Sequence, residues 1–425
     1  MPPEDAAAPP GARAARGEPS PRAVLASSPR PLAGLVVVDL TRLLPGPLAA
    51  RLLADLGARV VKVEEPSRGD PVRAAPPLVD GRSALGTLLL AGIESVALDL
   101  KRPAAVEALL GLLERADVLL ESFRPGGLAR LGLAPEELRR RFPRLVVCSI
   151  TGWGQEGPYA ERAGHDVTYQ AIAGSLAPTG GISSVPVADV VGAWSAVTAV
   201  LAALHARAAS GEGAWIDQAL LDAAVHSNLT ALAAEAGRPH AVGEPLPLTG
   251  ALPCYDVCRT SDGARLAVGA LEPHFWKALC EAVRRPELVR LQYSTSASAR
   301  RKVARLVASR SRAEWQALIA AHDVPVEPVL SASEALQHPQ VAAREVVRHG
   351  EDGLPRLGFP ARLDGSRPRA GDRVPELGAD TLRVLAEAGL DRGRSARALR
   401  GEGISPRVTS SGWLRRLVRR WTARK

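Results

Sequence analysis

The stretch "GLVVVDLTRLLPGPLAARLLADLGARVVKVE" (34–64) contains a complete strand–helix–strand unit and decides the fold class. Its two ends, residues 34–40 and 58–64, are short valine-rich apolar runs, which is the pattern of strands buried on both faces. Between them, residues 47–57 have helical spacing of apolar side chains, and Gly57 fits the residue that ends a helix. This order predicts a parallel βαβ unit.

The same alternation of strands and helices continues along the next part of the chain. We predict strands at 95–100, 117–122 and 145–151, separated by helices at 103–116 and 134–142. The turn after the first strand reads "TRLLPGPLA" rather than GxGxxG, so the dinucleotide fingerprint is absent. The sequence therefore predicts an α/β fold with a Rossmann-like parallel sheet, and it gives no support for NAD binding.

Residues 246–271 have a different character and indicate a second domain. They read as short strands around an Asp-Gly turn at 262–263, which is a hairpin signal. Further helical stretches are predicted at 190–234, 274–284, 296–309 and 312–321. We therefore predict three units of the folded chain: a large Rossmann-like domain at 31–234, a smaller α+β domain at 235–325, and a segment at 326–400 that returns to the large domain.

The composition argues against several classes of function. No uninterrupted run of 18 apolar residues occurs, so no membrane-spanning segment is predicted. The four cysteines lack zinc-like spacing with histidines, so we expect no metal site, and their scarcity fits a reducing cytoplasm. The net charge is +9, but residues 408–425 contain six basic residues and no acid. The rest of the chain does not resemble a nucleic-acid-binding protein.

Both ends of the sequence are predicted to lie outside the folded domains. Residues 1–30 are rich in Ala, Pro, Gly and Arg without an apolar period, and we predict a disordered tail. Residues 401–425 form a basic tail, in which residues 413–421 place apolar side chains on one helical face and arginines opposite. This pattern fits weak peripheral contact with an anionic membrane, or alternatively a helix that docks on the protein.

Three ionisable residues stand out because small or Gly-rich neighbours surround them: His165, Asp189 and Glu272. As chemical groups, they could exchange protons with a bound ligand. Each also has a structural interpretation. His165 and the adjacent Asp166 would tie down a turn, Asp189 would cap the helix that follows, and Glu272 would favour a helix amino terminus. The residues alone leave both interpretations open.

Six separated blocks resemble the family III CoA-transferases, which include the alpha-methylacyl-CoA racemases. The resemblance extends in order over about residues 31–395. The blocks are 31–73, 116–133, 148–174, 187–223, 248–276 and 322–347. The resemblance implies a CoA-binding Rossmann-like large domain built from both ends of the chain, an inserted small domain and an interlocked homodimer. It also implies an active site between the large domain of one subunit and the small domain of the other.

The resemblance gives the three candidate residues roles. In the racemases, the residues matching His165 and Asp189 form one acid/base arm, and the residue matching Glu272 acts from the other side. In the transferases, the aspartate matching Asp189 is the nucleophile that passes CoA between carboxylic acids. Inverting a carbon next to a thioester requires proton removal on one face and delivery on the other. The three residues together therefore favour an acyl-CoA racemase or epimerase, with CoA transfer as the alternative.

CoA is expected as part of the acyl-CoA substrate, without a tightly bound cofactor. Arg42, Lys62, Arg73 and Arg124 resemble family cations and are predicted to bind its phosphates. The basic block that family members usually carry before the third strand is replaced by "LAGIES" (90–95), which contains an acid. Each lost charge-assisted contact would weaken binding by about 1–3 kcal/mol. A degenerate homologue that binds acyl-CoA without turnover is therefore a third hypothesis.

Overall fold

A computed structural model of the protein describes residues 30–178, 181–237 and 241–389. The predictions for the tails at 1–30, apart from Arg30, and at 401–425 lie outside these residues. Within the described ranges the chain forms a large parallel sheet between helices and a smaller antiparallel sheet with its own helices. The predicted fold class, α/β with an additional α+β unit, is confirmed.

The strands are β1 (Val36–Asp39), β2 (Arg59–Glu64), β3 (Leu78–Val79), β4 (Arg82–Ser83), β5 (Glu94–Ala97), β6 (Val118–Glu121), β7 (Val146–Thr151), β8 (Trp215–Ala219), β9 (Tyr255–Arg259), β10 (Arg265–Gly269), β11 (Val326–Pro328), β12 (Val347–His349) and β13 (Pro355–Leu357). Six of them form the large sheet in the order β5-β2-β1-β6-β7-β8, and all neighbours are parallel. The chain runs outward in both directions from the adjacent pair β1 and β6. Ligands of such sheets bind beyond the carboxyl ends of the strands at this reversal point.

The helices are α1 (Pro45–Asp55), α2 (Ala84–Leu90), α3 (Pro103–Leu113), α4 (Gly127–Arg130), α5 (Pro135–Arg141), α6 (Asp166–Ile172), α7 (Val187–Ser210), α8 (Leu220–Ser227), α9 (Leu229–Gly237), α10 (Pro273–Ala282), α11 (Ala297–Val307), α12 (Arg312–Ala320), α13 (Ala332–Gln337), α14 (Pro339–Arg344) and α15 (Thr381–Glu387). Two apolar clusters cover the two faces of the large sheet. Val37 belongs to the cluster with α1, α2, α7 and α8, and its neighbour Val38 belongs to the cluster with α3, α5 and α15. Successive strand residues point to opposite faces, so a valine run packs against both helix layers.

Residues 190–234 are mainly helical, as predicted, but the strand β8 between α7 and α8 was not predicted. Helix α7 ends at Ser210, Gly211 adopts a left-handed conformation, and β8 then pairs with β7 at the edge of the sheet. Its sequence "WIDQA" alternates exposed and half-buried residues until Ala219. An edge strand needs no continuous apolar run, so the pattern used to find the central strands does not reveal it.

Helix α7 is long and apolar enough to cross a membrane by length and composition alone. Asp189 in its first turn interrupts the apolar run. The helix packs against α1, α8 and the sheet strands β7 and β8, and contributes buried alanines and valines to the core of the large sheet. These contacts bury about 33% of the apolar stretch of α7.

The smaller unit packs one face of an antiparallel sheet, β11-β10-β9, against α10, α11 and α12. The predicted hairpin is present, because β9 and β10 pair around the turn at 262–263. Trp276 and Trp315 are both buried in the core of this unit. The third strand, β11, begins at Val326 and therefore lies one residue beyond the predicted boundary at 325.

The last described part of the chain packs against the edge of the large sheet. Asp380 accepts a hydrogen bond from Ser95 N (3.0 Å), and Thr381 Oγ1 accepts one from Ala97 N (3.0 Å). These bonds fix α15 along the edge strand β5, whose free backbone groups would otherwise face solvent. Glu94, the acid in the replaced basic block, forms ion pairs with Arg59 (2.8 Å) and Arg383 (3.4 Å).

Candidate functional site

The amino ends of α6 and α7 meet at a pair of carboxyl groups. Asp166 begins α6, and Asp189 lies in the first turn of α7. Asp166 Oδ1 accepts a hydrogen bond from Asp189 N (3.1 Å), and Asp166 Oδ2 accepts one from Gln170 Nε2 (2.6 Å). Asp166 therefore ties the two helices together and holds its own charge next to Asp189.

The Asp189 carboxyl group is half-buried and exchanges its proton near neutral pH. Burial raises its pKa to about 7, and the neighbouring Asp166 charge adds to the shift. The residue before α7 is Pro186, and no side-chain cap closes this helix. The alternative prediction, that Asp189 is a helix cap, is therefore wrong.

His165 lies directly before α6 and is exposed. Its backbone N–H donates to Thr168 Oγ1 (3.0 Å), and the Thr168 hydroxyl donates to the carbonyl oxygen of His165 (2.7 Å). The imidazole itself makes no hydrogen bond to any residue that the structure describes. Thr168 and Asp166, rather than the imidazole, hold this turn, so the histidine ring is free to meet a ligand.

Tyr169 fixes the loop that carries His165. It is almost fully buried, and its ring packs edge-on against Trp153 with centroids 4.8 Å apart. A Cβ atom at Gly152 or at Gly164 would overlap the Tyr169 ring or hydroxyl, so both positions require glycine. Burial, with smaller contributions from Asp189 and Asp166, raises the pKa of Tyr169 to about 12. The phenol is therefore a neutral donor beside the carboxyl pair.

Glu272 lies in the smaller unit, directly before α10, where Pro273 occupies the first helical position. Its side chain is exposed and makes no capping hydrogen bond. The backbone just before it is held, because Gln292 Nε2 and the Tyr293 hydroxyl both donate to Leu271 O at 2.8 Å. No hydrogen bond or ion pair within the described ranges of one chain joins Glu272 to His165 or Asp189. The structure thus joins Asp189 to Asp166, the residue that follows His165, and places Glu272 on the smaller unit.

A cavity of about 270 Å³ lies at the carboxyl ends of β1, β2, β5 and β6, at the reversal point of the large sheet. Arg42 and Lys101 contribute positive charge to its lining, and Glu64, Glu65, Asp70 and Asp99 contribute negative charge. Leu40, Leu98 and Phe123 provide apolar walls. Within the described chain, no group of three His, Cys, Asp or Glu side chains is placed to hold a metal ion.

The sequence model of CoA-transferase family III matches residues 32–381. The chain belongs to CoA-transferase family III. The match spans both the large sheet and the smaller unit, and it includes the elements that carry His165, Asp189 and Glu272.

Members of the family with different reactions are similar to this chain. Succinate–glutarate CoA-transferase of Agrobacterium fabrum is 36% identical over 393 residues, which cover 84% of this chain and 95% of that protein. Human alpha-methylacyl-CoA racemase is 33% identical over 375 residues, which cover 85% of this chain and 94% of the racemase. The crystal structure of a CAIB/BAIF family protein from Brucella suis superposes with a TM-score of 0.75 at 31% identity, and it covers 85% of this chain and 100% of its own. Family membership therefore leaves the choice between transfer and racemisation open.

The four cations predicted to bind CoA phosphates in this family III chain have different surroundings. Arg42 and Arg124 are exposed in the loops after β1 and β6. Lys62 is 0% exposed and forms ion pairs with Asp39 and Asp70, both at 3.0 Å. Arg73 is nearly buried, pairs with Glu64 (2.6 Å) and donates to Pro375 O (2.8 Å). Lys62 and Arg73 hold internal acids in this structure, which corrects their predicted role as open phosphate ligands.

Two residues of the site were not predicted as contacts. Lys101 lines the cavity at the reversal point, where a cation in the loop after a strand is well placed to meet a phosphate. Its position, at the start of the loop after the predicted strand 95–100, is a signal that could have found it. Asp166 was noted as the neighbour of His165, but its contact with Asp189, 23 residues away, could not be read from the sequence.

Proposed function

We propose that this chain is an acyl-CoA racemase or epimerase that removes and returns the hydrogen next to the thioester carbonyl. The observation that carries the proposal is the Asp189 carboxyl group, whose pKa of about 7 suits a group that both accepts and donates a proton at neutral pH. His165 precedes Asp166, whose carboxyl group accepts a hydrogen bond from Asp189 N, and its imidazole is proposed as a second group that moves a proton.

The enolate formed in such a reaction needs positive charge near its oxygen. The amino end of the 24-residue helix α7 begins two residues before Asp189, so its backbone dipole favours negative charge here. The neutral phenol of Tyr169 stands beside the same carboxyl group. These features support enolate chemistry at this position and are the reason we prefer it to simple acyl-CoA binding.

Glu272 is proposed as the acid/base group on the opposite face, supplied by a second copy of the chain. It has no partner within its own chain among the described residues. Helix α9 supports a dimer. None of its side chains is buried, and even its apolar residues Leu229 and Leu232 are 60% and 50% exposed. An apolar helix left open in this way needs a covering surface. We propose a homodimer in which this surface is covered.

The nucleotide end of CoA is proposed to bind in the cavity at the reversal point of the large sheet. The position at the carboxyl ends of parallel strands supports this placement. Arg42 and Lys101 would contact phosphate groups, and the exposed Glu65 directly after β2 would accept hydrogen bonds from ribose hydroxyls. CoA enters as part of the substrate, so no separate cofactor is needed for proton transfer.

CoA transfer between carboxylic acids is the second candidate. It is favoured by the similarity to succinate–glutarate CoA-transferase, and Asp189 would then attack a thioester as a nucleophile. A nucleophilic carboxylate must be ionised, whereas a pKa of about 7 leaves Asp189 protonated in a large fraction of molecules at neutral pH. The group that removes the α hydrogen must also be ionised, so the choice between the two reactions rests on the deuterium experiment and not on this pKa.

A deuterium experiment separates these activities. Purified full-length protein is incubated in deuterated water with a pure 2-methylacyl-CoA epimer, and mass spectrometry and chiral analysis follow the acyl group. We expect one deuterium at the α carbon and loss of stereochemical purity without any added acid. CoA exchange that requires an added carboxylate, without α-deuterium, would establish transfer instead. Binding of the ester with neither reaction would support the non-catalytic hypothesis.

The variant Asp166→Asn should move the pH dependence of exchange towards lower pH. Burial is the larger cause of the raised Asp189 pKa, and the Asp166 charge adds to it, so removing that charge lets Asp189 ionise at lower pH. Asparagine retains an oxygen that can accept the Asp189 N–H. The measurement is kcat/KM for exchange between pH 5 and 9, for which we expect the limb set by Asp189 to shift to lower pH.

The pH dependence of the free energy of unfolding should also respond to Asp166→Asn. Because the pKa of Asp189 is raised in the folded state, the unfolded chain releases this proton first, and the protein loses stability as the pH rises from about 4 to about 7. The variant Asp166→Asn should make this loss smaller. Glu161→Gln removes an exposed charge from the same loop and serves as the control. An unchanged acid limb in Asp166→Asn, or a shift to higher pH, would contradict the coupling.

The remaining expectations concern location. The four free cysteines are buried, which is compatible with the proposed cytoplasmic location. Weak membrane contact through residues 413–421 stays a proposal, because that segment lies outside the described residues. Liposome co-sedimentation with and without residues 408–425 tests it, and equal sedimentation would contradict it.

A further inference from the structure

The smaller sheet has an outer face that carries a groove next to Glu272. Its inner face packs Cys258, Leu266 and Val326 into the core of the unit. The outer face carries Tyr255, Val257 and Ala267, and with the loop at 248–250 it encloses a groove of about 670 Å³. We call this space the outer-face groove. Val257 is 53% exposed and Leu248 44% exposed, so its apolar lining is open to a ligand.

The groove lies close to the proposed acid/base group. Gly269 lines the groove, and Glu272 follows three residues later in the chain. Three residues span at most about 10 Å, so an acyl group reacting at Glu272 reaches the groove with its next few carbons. The hydrogen bonds from Gln292 and Tyr293 to Leu271 O hold this connection in place.

The charges of the groove are all negative. Asp256 and Glu327 line it, and no Lys, Arg or His belongs to its lining among the described residues. Glu327 lies directly opposite Ala267 on the neighbouring strand, in the middle of the outer face. Arg259 and Arg265 lie opposite each other in the register of β9 and β10, two residues further along the same face. Neither arginine is among the residues that line the groove, and Arg300 meets the lining only by donating a hydrogen bond to the backbone oxygen of Gly250 (3.2 Å).

We propose that the outer-face groove holds the acyl substituent and selects short acyl groups without a distal carboxylate. A terminal carboxylate would lie next to Glu327 and Asp256 with no cation in the lining, whereas an alkyl end would cover Leu248 and Val257. Like charges brought together in a partly desolvated groove oppose binding, and apolar contact favours it. This inference rests on the proposed role of Glu272, and it adds a substrate class that CoA transfer among dicarboxylic acids would not share.

The test compares two CoA esters that differ in one terminal group. 2-Methylbutanoyl-CoA ends in a methyl group, and methylsuccinyl-CoA has a carboxylate at the same position of an equally long chain. We expect the full-length protein to bind the first about tenfold more tightly in equilibrium titrations. In Glu327→Gln and in Asp256→Asn this preference should fall by about threefold, because each variant removes one of the repelling charges. Glu281→Gln, an exposed acid on α10, should leave the preference unchanged.

The outcomes separate this proposal from the proposed reaction. Equal affinity for the two esters, tighter binding of methylsuccinyl-CoA, or an unchanged preference in both groove variants would overturn the groove assignment. If the preference is observed and changes as expected but neither ester exchanges its α hydrogen, the reaction is wrong and the groove assignment stands. If both esters exchange with the expected preference, both proposals are supported.

Discussion

Replacing Asp189 with asparagine should lower the rate of α-hydrogen exchange about 1,000-fold, in the range found for loss of a general acid or base. Asparagine has the same shape and keeps the backbone N–H that donates to Asp166, so the junction of α6 and α7 is retained. It can neither accept nor release the proton, which the carboxyl group exchanges near pH 7. Acyl-CoA affinity should change little, because the substrate contacts in the groove and the sheet cavity are untouched.

Two further variants show whether the loss of exchange is specific to Asp189 and whether the reaction is racemisation or transfer. Asp222→Asn removes an exposed acid from the first turn of α8 and should leave exchange unchanged. Glu272→Gln should also reduce racemisation strongly in both directions. The α-hydrogen exchange that remains should be faster for one epimer than for the other, because the variant removes the group on one face only. A transferase would lose its activity in Asp189→Asn but not in Glu272→Gln. Full exchange activity in Asp189→Asn would remove the basis of the proposed function.

The large sheet could be predicted because its central strands are buried on both faces. The valine runs at 34–40 and 58–64 and the helix between them follow from apolar periodicity alone. The structure contains β1 and β2 within those limits, and α1 begins and ends two residues earlier than the predicted helix at 47–57. Strand β8 was missed because it lies at the edge, where one side of the strand has no partner and polar residues are tolerated. Periodicity therefore reports burial, and it identifies a strand only where the strand is buried.

The candidate site was predictable as a set of residue types and not as a geometry. His165, Asp189 and Glu272 stand out from their apolar neighbours, but their separation along the sequence conceals which of them meet. The structure joins Asp189 to Asp166 through a contact between two helix starts and places Glu272 on the other unit. Their distinct environments, one half-buried and one exposed, depend on this packing. The raised pKa of Asp189 is a consequence of burial that no spacing in the sequence encodes.

Lys62 shows most clearly where sequence reasoning about cations fails. A lysine in a strand next to a ligand-binding edge has the same appearance in the sequence whether it faces a phosphate or a carboxylate. In the structure its ammonium group contacts Asp39 and Asp70 and donates to Thr41 O (2.7 Å). Burial opposes its charge, but the three surrounding carboxylates outweigh burial and hold the pKa of Lys62 above its ordinary value. Lys62 is therefore charged, and it holds in place the loops that line the cavity by binding Asp39, Asp70 and Thr41 O.

Replacing Lys62 with methionine should destabilise the protein by about 3–5 kcal/mol, the cost of leaving buried charges without their partner. Methionine fills a similar volume but leaves the carboxylates of Asp39 and Asp70 buried without a cation. Asp70 Oδ1 also accepts hydrogen bonds from Leu43 N (3.0 Å) and Val72 N (2.9 Å), so a displaced Asp70 would disturb both loops of the cavity. The melting temperature should fall by about 5–10 °C. Because Lys62 keeps its charge at neutral pH, the loss is measured in thermal melts at pH 7.

Two companion variants distinguish internal charge pairing from phosphate binding. Lys101→Met removes an exposed cation from the same cavity and should reduce CoA affinity with little change in melting temperature. Adding Asp70→Asn to Lys62→Met should restore part of the lost stability, because asparagine keeps an oxygen for the two backbone donors and removes the orphaned charge. Thermal melts and CoA titrations of the four proteins give the comparison. If Lys62→Met melts like the wild type but loses CoA affinity as Lys101→Met does, the lysine reaches the ligand in solution, and the buried pairing with Asp39 and Asp70 is not what maintains the cavity.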